Sequence, residues 1–91
     1  MEWRLFADLA EVADDKHVTI DYEAGMTVED ALMALLETKP ALRERVLDEN
    51  EKLQSHINIL RNGTDIENEA GLETTVEDDD ELALFPPVSG G

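Results

Sequence analysis

The chain has no cysteine among its 91 residues, which excludes disulfides, thiolate metal centres and a thiol nucleophile of its own. Any thioester chemistry must use a partner's cysteine. Only two histidines are present, His17 and His56. Two imidazoles without a thiolate make a poor transition-metal site, so no metal and no bound cofactor are expected. Ser55 precedes His56, but neighbours on an extended segment face opposite ways, so the pair cannot serve as nucleophile and base. A surface or turn histidine is the expected reading, and no enzyme active site is visible. No apolar run approaches the ~20 residues that span a bilayer. The opening Met1-Glu2-Trp3-Arg4 also lacks a signal-peptide pattern. A soluble, cytoplasmic protein without membrane contact is expected.

Positive charge is equally scarce. Seven basic residues against 23 acidic ones leave a formal charge of −16. Such a surface repels nucleic acid and anionic lipid, and neither is an expected partner. The hydrophobic content of 42%, arranged with clear periodicity, opposes a disordered acidic chain. The length allows one small domain, whose core has little room to house a multi-part active site. A monomer is expected.

Along the chain, Trp3, Leu5 and Ala7 alternate with Arg4, Phe6 and Asp8 as in a strand. Leu9 to Asp15 is either a helical turn or a loop, and Asp14-Asp15-Lys16 reads as a turn. Val18, Ile20 and Tyr22 alternate in a second strand, which pairs with the first as a hairpin and stops at Ala24-Gly25. Thr27-Val28-Glu29-Asp30 is a variant capping box with aspartate at the third position. It opens a helix whose apolar face is Val28, Ala31, Leu32, Leu35 and Leu36, with Met33 as core filler at the stripe's edge. Pro40 ends that helix. Ala41 to Leu47 forms a short second helix, and Asp48-Glu49-Asn50-Glu51 a charged loop. Ile57-Asn58-Ile59-Leu60 is strand-like, and Asn62-Gly63 is a strong two-residue turn leading into Thr64-Asp65-Ile66. A solvated turn is the expected reading of residues 77–81, ahead of a cation site.

The final strand, Glu81-Leu82-Ala83-Leu84-Phe85, runs into Pro86-Pro87-Val88-Ser89-Gly90-Gly91. The prolines cannot continue a ladder and hold an extended, stiff arm. Gly90 and Gly91 have no Cβ, so their backbone can pass a channel too narrow for side chains and bring a carboxylate to a buried reaction centre. The expected division is a globular domain over residues 1–85 and an extended tail over residues 86–91.

Leu84-Phe85-Pro86-Pro87-Val88-Ser89-Gly90-Gly91 resembles the end of proteins in the ubiquitin-like sulfur-carrier family. Within it the match is to the small archaeal modifiers and to carriers of the molybdopterin synthase small subunit and thiamine type. Residues 1–12 and the central His56-Ile57-Asn58-Ile59-Leu60-Arg61-Asn62-Gly63 carry the same resemblance, which therefore covers essentially the whole chain. Ser89 stands where ubiquitin has a basic residue, which sets eukaryotic ubiquitin partners apart.

The resemblance implies an α+β β-grasp (ubiquitin-like) fold, a mixed sheet wrapped over one main helix, with the last strand parallel to the first. It also implies that an adenylating enzyme uses ATP to activate the Gly91 carboxylate. Either a thiocarboxylate or an isopeptide bond to a target-protein lysine then follows, with this chain as cosubstrate. Ser89, Val88, Pro87 and Pro86 would be recognised in the tail. Phe6, Leu60 and Phe85 would form the patch that docks the activating enzyme or the molybdopterin synthase large subunit, and ordinary core packing is the competing reading of the same three. A dedicated molybdopterin synthase small subunit and a non-covalent acidic adaptor are the alternative functions. Lys16, Lys39 and Lys52 are unranked as acceptors of a second modifier.

The charge implies a high-salt habitat, because self-repulsion destabilises a small domain until salt shortens the screening length to roughly 3 Å near 1 M. The melting temperature is therefore expected to rise steeply between dilute buffer and molar salt. A salt-independent melting curve would refute the halophilic reading.

Overall fold

The computed structural model describes residues 1–86. Five strands form one mixed sheet in the order β2-β1-β5-β3-β4. Strand β1, Glu2–Leu5, pairs antiparallel with β2, His17–Thr19, and parallel with β5, Glu81–Phe85. On its other side β5 pairs antiparallel with β3, Asn58–Arg61, which forms a hairpin with β4, Thr64–Asp65. The expected parallel pairing of first and last strands is present, in the register Glu2 to Glu81 through Leu5 to Leu84.

The strands that flank β5 set its inward and outward faces. Trp3, Leu5, Ile59, Leu82 and Leu84 are buried beneath helix α2, Val28–Thr38. The five positions of its expected apolar stripe, Val28, Ala31, Leu32, Leu35 and Leu36, are all buried. Trp3 is fully buried, and its indole N–H donates to the Ala31 carbonyl at 3.0 Å, so the polar end of the ring is satisfied inside the core. Thr27 caps the helix reciprocally: its Oγ1 accepts from the Asp30 amide, and Asp30 accepts from the Thr27 amide at 3.1 Å. The aspartate variant of the box therefore closes as the glutamate form does.

Met33 does not join the core; it is 37% exposed. At ~100° per residue it lies well past Leu32 and off the stripe's edge, so the fold gives it no partner layer. Ala7 leaves β1 and turns into helix α1, Asp8–Ala13, resolving the ambiguous segment as helix. β2 stops at Thr19 because β1 begins at Glu2; the Ile20 amide donates to the Met1 carbonyl at 3.0 Å and the Met1 amino group donates to the Ile20 carbonyl at 3.5 Å, which extends the pairing by one residue. After Thr38 the chain makes a 3-10 turn at Pro40–Leu42 and a short helix α3, Arg43–Val46. Asn62 and Gly63 both have positive φ, 51° and 85°, as a tight hairpin turn demands.

Candidate functional site

The site is built on the sheet face turned away from α2. Alternation along β1 and β5 turns Arg4, Ala83 and Phe85 outward, and Phe6 follows at the end of β1. The rings of Phe6 and Phe85 stack with centroids 4.3 Å apart and planes 10° apart. An aromatic pair of this kind contributes roughly 0.5–1.5 kcal/mol beyond its buried area. The Arg4 guanidinium sits 5.4 Å from the Phe6 centroid, and Arg4 also approaches Glu81 at 3.7 Å. Leu60, on β3, is half-buried opposite Ala83, while Asn58 stands opposite Phe85. Phe6, Leu60, Ala83 and Phe85 thus share one half-buried apolar face, with the two phenylalanines in direct contact.

Pro86 is half-buried just beyond the stack. The other tail positions singled out in the sequence, Pro87, Val88, Ser89, Gly90 and Gly91, lie outside the described residues. β5 is the central strand, held by a ladder on each side as far as Leu84 on one and Phe85 on the other. Whatever the tail engages, its root is fixed by the best-supported strand of the sheet.

The turn leading into β5 departs from expectation. Residues 77–81 were expected to be solvated, yet Asp80 is buried. Its Oδ2 accepts from Arg61 Nε at 2.6 Å and from the Glu77 amide at 2.7 Å, and its Oδ1 accepts from Asn62 Nδ2 at 2.7 Å. Asn62 in turn accepts from the Glu81 amide at 2.9 Å. This network locks the β3–β4 turn to the start of β5. Burial alone would push the Asp80 carboxyl up; the Glu77 amide, Asn62 and Arg61 together outweigh it and hold the group below the usual carboxylate range. Around it the acidic run is still felt: burial, then the charges of Glu77, Asp78 and Asp80, raises the Tyr22 phenol above its ordinary value. Among the described residues no cluster of three or more metal-ligating side chains occurs.

His56 and Ser55 are exposed in a turn before β3, as expected. His17 is exposed and contacts Glu2 at 3.2 Å. Lys16 and Lys52 are exposed and Lys39 is half-buried. No helix among the described residues is long and apolar enough to cross a membrane.

The sequence pattern of the ThiS family matches residues 3–91. The chain belongs to the ThiS family. It is 53% identical to small archaeal modifier protein 1 of Haloferax volcanii over 91 residues, covering 100% of both chains. Its structure superposes on the crystal structure of SAMP1 from Haloferax volcanii with a TM-score of 0.91, at 53% identity, covering 100% of this chain and 98% of that one. The solution structure of SAMP1 from Methanosarcina acetivorans gives a TM-score of 0.84 at 38% identity, covering 99% and 94%. The α+β β-grasp fold implied by the sequence resemblance is therefore the fold of this ThiS-family chain. Arg4 and Ala83 belong to the same outer face and were missed; their position two residues before Phe6 and Phe85 was the available signal. Asp80 and Arg61 were missed because their pairing depends on the β3–β5 register.

The Asp80 network gives a pH prediction. The folded pKa of Asp80 lies below its unfolded value, near ~3.9, so its contribution is complete above that value and is lost as pH falls through the folded value. Asp80→Asn is expected to lower stability by about 2–3 kcal/mol at neutral pH, with the gap from wild type narrowing below about pH 4. Denaturant titrations at several pH values measure it; a gap that is constant with pH would contradict the assignment.

Proposed function

We propose that this chain is a ubiquitin-like protein modifier and sulfur carrier whose reactive group is the Gly91 carboxylate. The observation that carries the reading is the placement of Phe85: it ends the central strand, in contact with Phe6, immediately before the Pro86-Pro87 step. The full-length similarity to a protein named as a small archaeal modifier supports it.

A glycine carboxylate has a pKa near ~3.5 and is an anion and a poor electrophile at neutral pH. An adenylating enzyme overcomes this by letting a carboxylate oxygen attack the α-phosphorus of ATP, with pyrophosphate leaving. The acyl-adenylate then loses AMP to an incoming nucleophile. Sulfur gives a thiocarboxylate, and a lysine amine gives an isopeptide bond on a target protein. This chain supplies the carboxyl, the glycine backbone that reaches the partner's centre, and an apolar face of Phe6, Leu60 and Phe85 for docking. The adenylating enzyme and a sulfur-accepting large subunit of the molybdopterin synthase type are the partners of this scheme. The cytoplasm, where ATP is available, is its place. Lysine-linked adducts in cells distinguish it from a carrier that only delivers sulfur.

Gly91→Ala adds one methyl beside the reacting carboxyl and leaves the sheet untouched. A displacement on the order of 1 Å at a reacting group costs about a hundredfold in rate. ATP–pyrophosphate exchange with the purified activating enzyme is expected to fall by about that factor, while a pull-down shows unchanged docking. Exchange at the wild-type rate would contradict a narrow channel, and loss of docking as well would place the docking determinant in the tail.

A further inference from the structure

Ala7 has φ 54° and ψ −133°, a backbone conformation that belongs to glycine. The Leu9 amide donates to the Phe6 carbonyl at 3.2 Å, which closes a four-residue turn over Phe6-Ala7-Asp8-Leu9. Ala7 has the dihedrals of the first central residue of a type II′ turn, a position that glycine normally fills. A Cβ is present there all the same, so the turn is strained, and its surroundings must hold it in place.

Two anchors do so. Downstream, Leu9 is 1% exposed and Asp8 accepts from Arg45 at 2.9 Å, so the start of α1 is fixed to the core and to α3. Upstream, β1 is paired on both sides only to Leu5, whose amide donates to the Lys16 carbonyl at 2.8 Å. Phe6 lies between these anchors, and the visible hold on its side chain is the stack on Phe85, with Arg4 beside it. If Ala7 relaxed to an ordinary extended conformation, the turn would open. Leu9 is buried, so the movement would appear at Phe6.

We propose that Ala7 is a positioning residue whose strained turn holds the Phe6 ring flat against Phe85, in the geometry that the adenylating enzyme reads. This deepens the docking role proposed for Phe6 and Phe85 and rests on it. The closed turn has a functional sense: an opened one would leave a mobile ring beside the root of the tail, whereas the closed one presents a single preset apolar surface.

Three replacements test it in the full chain: Ala7→Gly, which accepts the turn without strain; Ala7→Val, which a β-branched side chain makes harder to hold; and D-alanine at position 7 by chemical synthesis, which keeps the methyl and accepts positive φ. Ring-proton shifts of Phe6 and Phe85 report the stack, and the KM for this chain in ATP–pyrophosphate exchange reports docking. The glycine and D-alanine forms are expected to melt at or above the wild-type temperature, keep the stacked shifts and keep KM. Ala7→Val is expected to lose the stacked shifts and raise KM about tenfold with kcat little changed, a factor equivalent to 1.4 kcal/mol. Should Ala7→Val fail to fold, the melting temperatures of the glycine and D-alanine forms decide: a fall of both below wild type would overturn the proposal. Stacked shifts retained in a folded Ala7→Val, or KM raised equally by all three, would also overturn it. If instead Phe6→Ala leaves KM unchanged while Ala7→Val loses the stack, the turn geometry stands and the docking role falls.

Discussion

Parallel neighbours such as β1 and β5 cannot be joined by a short turn, so everything between Leu5 and Glu81 must be laid out to bring the last strand back beside the first. α2 packs across the inner face of the two strands, and Trp3 ties β1 to it through the buried bond to Ala31. The β3–β4 hairpin then closes the other side of β5, with Asp80 fastening its turn to the start of that strand. β5 is consequently the middle strand of the five, held between β1 and β3, which are themselves paired on both edges. A chain that presents its end to a partner gains most when the tail starts from such a strand, because the root of the tail is then as rigid as the core.

The two faces of the sheet differ in character, and the charge of the chain sharpens the contrast. The inner face is a closed apolar layer. The outer face places stacked phenylalanines, Ala83 and Leu60 among Glu2, Arg4, Asn58 and Glu81. With a formal charge of −16, any partner approaches through a strongly negative field, and in dilute buffer that field extends much farther than the patch itself. At molar salt the screening length is roughly 3 Å, shorter than the width of one side chain, so recognition must rest on contact. A preset aromatic pair suits that setting: its attraction survives screening, and little side-chain freedom remains to be lost on docking.

What was legible in the sequence was encoded locally. The capping box at Thr27 and Asp30, the five-residue apolar stripe of α2 and the Asn62-Gly63 turn each depend on residues within a few positions of one another, and each took the expected form. The central strand pair was also legible, because its alternation and the family resemblance pointed the same way. What escaped depends on register between distant segments. Asp80 reads as one more acid in an acidic run until β3 is placed beside β5 and brings Arg61 and Asn62 to it. Met33 reads as apolar and therefore inward until the helix is oriented and the angle excludes it. Ala7 carries no signal at all, because the residue that would mark its turn is glycine and alanine marks helix or strand equally well.

The central claim is that the carboxyl of Gly91 is the atom group on which the chemistry occurs, with the folded domain as its rigid handle. The direct measurement uses chain made by semisynthesis with heavy oxygen only in that carboxyl, incubated with the adenylating enzyme, ATP and a sulfur donor or amine acceptor. If a carboxylate oxygen attacks the α-phosphorus and the nucleophile then displaces AMP, one labelled oxygen must leave with AMP. Mass spectrometry of the released nucleotide should therefore find AMP heavier by one isotope substitution. Product formed with AMP of ordinary mass, or with the label in inorganic phosphate, would contradict the account.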